Sequence, residues 1–282
     1  MPLTSILPYL QRAQQEKYAI PLFDLFDSNA VDGTFQALEE LRAPGIAALY
    51  SNQLGKTNTA ALTAYLRARA EQSQVPISIM LDHGASFEQC MQAIRLGFTD
   101  VMFDGSKLPL EDNIAITKAV ARAAHAVGVG VEAELGQVGM GSDYQEIYGK
   151  RKGYTDPAAV EKFVAETGVD MLAIAIGNAH GVYQGEPNID LNLLAEIRRR
   201  VETPLVLHGG SGISEAQFRA AVQGGICKIN IATDLYLEAG KNVAAAAAKG
   251  AKSYFELMPL VLTAFRQRCG YHIELFGANG KA

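Results

Sequence analysis

Three histidines stand where an apolar run gives way to a polar turn. His83 closes ISIMLDH, His180 follows MLAIAIG, and His208 ends PLVLH. Asp82, Asp104, Glu132, Glu134, Asn230 and Asp234 hold comparable positions at the ends of other runs. Neutral imidazoles with a carboxylate suit Zn2+, and three or four such ligands around an open position describe a catalytic centre rather than a closed structural one. The remaining histidines, His125 within AVARAAHAVG and His272 in the C-terminal segment, read as structural, because an isolated histidine is more often satisfied in place than a ligand. Cys90, Cys227 and Cys269 lie far apart without a CxxC pair, which reads as reduced, buried thiols.

Glycine and small polar residues mark a second chemistry. HGGSG (208–212) and NIATD (230–234) each follow an apolar run, and backbone N–H groups with hydroxyls in such turns hold phosphate. Gly209, Gly210, Ser211, Asn230 and Thr233 are the candidates. In VEAEL, Glu132 and Glu134 share one face by the two-residue period of a strand. Glu132 is expected to be a buried ion-pair partner, since a desolvated carboxylate needs a partner or a metal. Lys228 could be an imine-forming lysine; its direction stays open, and Asn230 is favoured as the active member. Asp82 and His83 are neighbours, so both face one site only if the strand end is irregular.

The elements that must position these residues alternate along the chain. Eight apolar runs, at 18–24, 45–51, 77–83, 100–106, 128–136, 171–177, 204–210 and 227–234, are separated by segments with helical apolar spacing and a closing glycine. Strand alternating with helix predicts an α/β fold with parallel strands. Eight units in this length favour a closed (β/α)8 barrel over an open doubly wound sheet, and no glycine-rich dinucleotide turn follows the first run. In a barrel the C-terminal ends of the strands converge on one face, where such enzymes place their sites. One connection, about 137–155, is far longer than a βα loop needs and reads as a mobile functional loop. A helical tail is expected from about 253, all within one domain.

The chain has 282 residues, 49% of them hydrophobic, enough for a sizeable core. Its 25 basic and 30 acidic residues give a formal charge of -5 with no basic block, which weighs against nucleic acid as a partner. No stretch reaches the roughly 18 apolar residues of a membrane span and no leader is evident, so a cytoplasmic protein is expected.

Taken together and in order, LDHG (81–84), FDGS (103–106), VEAELG (131–136), AIGNAHG (175–181), LVLHGGSG (205–212) and KINIATD (228–234) resemble the class II fructose- and tagatose-bisphosphate aldolases over nearly the whole chain. The resemblance implies reversible cleavage of a phosphorylated ketose to dihydroxyacetone phosphate and an aldehyde. It implies Zn2+ on His83, His180 and His208, with Glu134 a further or alternating ligand; Asp104 is kept as another candidate ligand. Asp82 becomes the acid/base at the C4 hydroxyl. Dihydroxyacetone phosphate is expected on Gly181, Gly209, Ser211, Asn230, Ala232 and Thr233, beside a monovalent cation (Na+ or K+), in a homodimer or homotetramer.

Two positions depart from the family pattern. Where the family carries a proton-handling glutamate eight residues after the zinc-site glutamate, this chain has Ser142; Asp143, Glu146 and Tyr144 are the nearby replacements. Asp24, in FDLFD, stands where the family commonly has asparagine, and a carboxylate there repels a phosphate and favours a hydroxyl or cation. Ser51, and less so Arg266 and Arg268, are further candidates for the far end of the substrate. A sugar-phosphate binder without catalysis is the alternative, opposed by retention of Asp82. A zinc hydrolase is opposed by the lack of an HxH pair on the first strand.

Overall fold

Strand after strand is buried along its whole length, as Ile20–Asp24, Ile77–Gly84 and Gly130–Leu135 illustrate. Such unbroken burial belongs to a parallel sheet covered on both faces. The computed structural model of the protein describes residues 3–144 and 149–282. Its strands are β1 Ile20–Asp24, β2 Gly45–Tyr50, β3 Ile77–Gly84, β4 Asp100–Phe103, β5 Gly130–Leu135, β6 Gly139–Met140, β7 Met171–Ile174, β8 Ala179–His180, β9 Leu205–Leu207 and β10 Ile226–Ile231. Eight of these ten close into a parallel barrel in the order β1-β10-β9-β7-β5-β4-β3-β2, a (β/α)8 TIM barrel. The other two, β6 and β8, form a short parallel pair between the connections that follow β5 and β7.

The helices are α1 Leu7–Glu16, α2 Ser28–Glu40, α3 Thr59–Gln72, α4 Phe87–Leu96, α5 Leu110–His125, α6 Pro157–Thr167, α7 Leu191–Arg198, α8 Glu215–Gln223, α9 Thr233–Ala248 and α10 Tyr254–Leu275. Several start on a side-chain cap: Asp27 accepts from Ala30 N, Ser86 from Gln89 N, and Ser253 joins Glu256 in a capping box. The eighth apolar run ends sooner than the sequence indicates. Its last two residues, Thr233 and Asp234, already belong to α9, because Ala232 breaks the extended backbone at φ -133°, ψ -70°.

At the end of the barrel away from the site, α1 packs Leu10 and Ala13 inward, and the segment leading into it packs Ile6 inward. Asp100, at the start of β4, holds it there by accepting from Ser5 Oγ (2.7 Å), Ile6 N (3.1 Å) and Ser78 Oγ (2.6 Å). At the other end of the chain, α10 packs on α2 and α9. The two arginines of that tail are engaged within the protein rather than at the mouth: Arg266 Nε donates to Glu40 Oε2 at 2.9 Å and Arg268 Nε to Asp234 Oδ2 at 2.5 Å. Among the described residues, no helix is long and apolar enough to cross a membrane.

Candidate active site

Strand β3 carries the irregularity that the placing of Asp82 and His83 demands. Its pairing with β4 runs Met80–Asp100 and Leu81–Val101, then slips to Gly84–Phe103, so one extra residue is accommodated. His83 takes the left-handed conformation at φ 51°. A bulge of this kind turns a side chain that would otherwise face outward. Asp82 and His83 consequently line the same cavity, of about 610 Å3, at the C-terminal mouth of the barrel.

His83, His180 and His208 converge there, with ring nitrogens within 4.8 Å of one another. Each ring is held from its outer side. His83 Nδ1 contacts Asp104 Oδ2 at 2.8 Å, His208 Nε2 contacts Glu132 Oε1 at 2.7 Å, and the backbone of Val138 engages His180. That leaves an inner nitrogen on each ring. His208 Nδ1 and His83 Nε2 stand 2.9 Å apart, and His180 Nε2 is buried without a hydrogen-bond partner. Two nitrogens on one tetrahedral Zn2+ at about 2.05 Å stand about 3.3 Å apart, so these rings are spaced as ligands and already oriented by acceptors behind them. Glu134 adds a carboxylate: Val138 N donates to Oε1 at 2.9 Å, while Oε2 is buried without a hydrogen-bond partner, 3.9 Å from His83 Nδ1. His83, Asp104 and Glu134 form a second, overlapping group able to hold an ion.

The electrostatics agree with a cation-binding cluster. Burial pushes His180 down to about 4 and His208 well below its ordinary range, so both rings are neutral and available as ligands. Burial acts the same way on His83, but the charges of Asp82, Asp104 and Glu134 outweigh it and lift the ring to about 10. Burial also lifts Glu134 to about 8. Burial first, and the adjacent Asp82 charge second, push the Asp24 carboxyl well above the usual range.

Beneath the histidines the barrel interior is a closed polar network. Lys228 Nζ lies 2.9 Å from Glu132 Oε2 and 2.7 Å from Asn230 Oδ1, with both Lys228 and Glu132 fully buried. Asn230 Nδ2 donates to Asp82 Oδ1 at 2.9 Å. Lys228 therefore points inward and is ion-paired, while Asn230 reaches the mouth and orients Asp82.

Gly181, just after β8, and Gly209, Ser211, Ala232 and Thr233, in the turns after β9 and β10, line the cavity. Helix α9 begins at Thr233, so its first N–H groups and the positive end of its dipole lie at the cavity wall. Asp234 N donates to Ser211 Oγ at 3.0 Å and ties the two turns together. Gly209 has φ 64°, and a Cβ there would meet Ala179 O at 2.1 Å, so only glycine fits. Tyr183 OH donates to Gly209 O at 2.9 Å and accepts from Ala179 N at 2.7 Å.

The structure thus brings Asp24, Asp82, His83, Asp104, Asp143, His180, Gly181, His208, Gly209, Ser211, Asn230, Ala232 and Thr233 to one cavity. Gly210, Ser51 and Glu134 stand behind its wall, Glu134 beside the His83 ring. Gly210 N donates to Asn230 O at 3.2 Å, and Ser51 is buried in a short 3-10 turn whose neighbours Tyr50, Asn52 and Gln53 do the lining. Asp234 turns away toward Arg268 and His272. Tyr144 faces a separate small cluster, its hydroxyl accepting from Asn188 N at 2.6 Å. Glu146 lies outside the described residues. Sequence reasoning missed Phe26, Tyr50, Asn52, Gln53, Lys107, Lys152 and Tyr236 on the cavity wall. Tyr50, Asn52 and Gln53 follow a strand end in the same way as the residues that were found, and that position was the available signal.

The family model described as Fructose-bisphosphate aldolase class-II matches residues 4–281. A probable fructose-bisphosphate aldolase of Bacillus subtilis (strain 168) is 39% identical over 248 residues, 86% of this chain and 86% of that protein. Among solved structures, the YdjI aldolase from Escherichia coli K12 superposes with a TM-score of 0.90 at 35% identity, covering 99% of both chains. A putative fructose-1,6-bisphosphate aldolase from Coccidioides immitis gives 0.88 at 27% identity, over 98% of this chain and 96% of that one.

Proposed function

The chain belongs to the class-II fructose-bisphosphate aldolase family, and from that premise we propose that it is a zinc-dependent aldolase cleaving a phosphorylated ketose to dihydroxyacetone phosphate and an aldehyde. The observation that carries the reading is the meeting of three inward-facing imidazole nitrogens with Asp82 in one cavity that also opens on the N-terminus of α9. His83, His180 and His208 would hold the metal, with Glu134 as a further or alternating ligand and Asp104 fixing the His83 ring. A zinc ion there supplies Lewis acidity to the carbonyl and hydroxyl oxygens of the ketose.

The chain's own residues account for the rest of the reaction. Ser211, Thr233 and the N–H groups around Gly181, Gly209 and Ala232 hold the phosphate, with a monovalent cation beside them. Asn230 aims Asp82 at the C4 hydroxyl. Asp82 takes that proton, C4=O forms, and the C3–C4 bond breaks with its electron pair passing toward C2 to give the enediolate. A proton delivered to C3 completes dihydroxyacetone phosphate. With Ser142 at the usual position, Asp143, on the cavity wall, or Glu146 is the donor. No lysine imine is needed, in keeping with the buried pairing of Lys228. A homodimer or homotetramer is the assembly this reading carries.

The test is release of dihydroxyacetone phosphate from a panel of ketose 1-phosphates and 1,6-bisphosphates, before and after chelation. Turnover that ceases on chelation and returns with Zn2+ is expected. Activity untouched by complete metal removal would falsify the zinc mechanism, and tight sugar-phosphate binding without turnover would establish a binder instead.

A further inference from the structure

The phosphate turns follow β9 and β10, and Asp82, which must meet the C4 hydroxyl, ends β3. β2 and β1 close the ring between β3 and β10, so the wall at their ends adjoins both Asp82 and the phosphate turns, and on the aldolase reading it is the wall taken to receive the ketose past C4. That wall is formed by Asp24, Phe26, Tyr50, Asn52, Gln53 and Tyr236. None of these six carries a positive charge. Asp24 is 5% exposed, and its Oδ1 is buried with no hydrogen-bond partner although the residue lines the cavity. Ionised, Asp24 repels an anion; protonated, it offers one hydrogen-bond donor and no charge. In neither state does a second phosphate or a carboxylate find a compensating cation on this wall.

What the wall does offer is polyol chemistry. Tyr50, Asn52, Gln53 and Asp24 are donors and acceptors suited to hydroxyl groups. Phe26 and Tyr236 pack edge to face at 4.9 Å and present apolar surface to the C–H edges of a sugar chain. Tyr236 OH donates to the Asp24 backbone carbonyl at 3.3 Å, which fixes the ring against β1. The two lysines of the cavity, Lys107 and Lys152, are exposed and sit on the connections after β4 and β5, on the far side of β3 from this wall.

We propose that the aldehyde produced or taken up here is an uncharged polyhydroxyaldehyde, so that the ketose carries phosphate at its dihydroxyacetone end alone, and that Asp24 is a determinant of this choice. The proposal rests on the aldolase reading above. Its test is condensation of dihydroxyacetone phosphate by the zinc-loaded enzyme with glyceraldehyde, erythrose, glyceraldehyde 3-phosphate and a short aldehyde ending in a carboxylate. A kcat/KM at least tenfold higher for the neutral acceptors is expected. Asp24→Asn should narrow that preference at least threefold. Asn52→Lys, at an exposed position where folding is not at stake, should narrow it in the same direction. Preference for either anionic acceptor in the wild type, or a preference unmoved by both substitutions, overturns the proposal while leaving the aldolase reading in place. No carbon–carbon bond formed with any acceptor, and no exchange of the dihydroxyacetone phosphate protons with solvent, overturns both.

Discussion

Lys228 Nζ and Glu132 Oε2 meet at 2.9 Å in the interior of the barrel, where neither side chain has any exposure. Glu132 turns its other oxygen to His208, and Lys228 turns to Asn230, so one ion pair supports both a ring of the histidine cluster and the residue hydrogen-bonded to Asp82. Removing one member leaves an uncompensated buried charge, which costs about 3–5 kcal/mol. Lys228→Met should lower unfolding free energy in urea by that amount. Borohydride added with dihydroxyacetone phosphate should trap no adduct on the wild-type lysine; a trapped imine would refute the ion-paired role.

Asp104 holds the outer nitrogen of His83, and the charge and hydrogen bond of that ring keep its carboxyl well below the usual range despite partial burial. Partners of this kind contribute about 10–100-fold to metal affinity. Asp104→Asn should weaken zinc by a factor of that order in a chelator competition, with the fold intact by circular dichroism. An unchanged affinity would remove Asp104 from the metal site.

The proposed mechanism draws the proton for the enediolate from the segment that carries Ser142. Exchange of dihydroxyacetone phosphate protons with deuterated solvent isolates that step. Asp143→Asn or Glu146→Gln should slow it by about 100-fold or more, the usual reach of general acid–base catalysis. If exchange proceeds at the wild-type rate in both variants, the proton carrier lies elsewhere.

Asp234 links the start of α9 to the C-terminal helix through Arg268 and His272. Burial works against its charge, but the His272 and Arg268 hydrogen bonds outweigh it and hold the carboxyl below its ordinary value. A depressed carboxyl contributes stability that is present above its unfolded value, about 3.9, and is lost as pH falls through the folded one. Followed by NMR in the folded protein, the Asp234 carboxyl should therefore still be ionised at a pH where an unfolded aspartate takes up its proton; protonation at or above about pH 3.9 would contradict the assignment.

The barrel is legible in the sequence because its strands are buried on both faces, which writes each one as an unbroken apolar run with chemistry at its end. His83, His180 and His208 could be read from that position alone. Other relationships are set by partners far along the chain. Lys228 has a definite direction only because Glu132 lies across the barrel, and Asp104 becomes the holder of His83 only when β3 and β4 pair. Strands β6 and β8 have two residues each, too few for any pattern, yet they place His180. Phe26 and Tyr236 reach the mouth from a connection and a helix, outside the strand-end rule that found the rest.

The slip between β3 and β4 gives the site a vulnerability of a particular kind. The division of labour proposed above, with Asp82 for the proton and His83 for the metal, depends on alignment as much as on residue identity. Deleting one residue from positions 77–80 would keep every candidate side chain and every motif, yet shift which of them faces the cavity. Descendants of this sequence can exchange side chains around the mouth one at a time, but they cannot gain or lose a residue in that strand without rebuilding the centre.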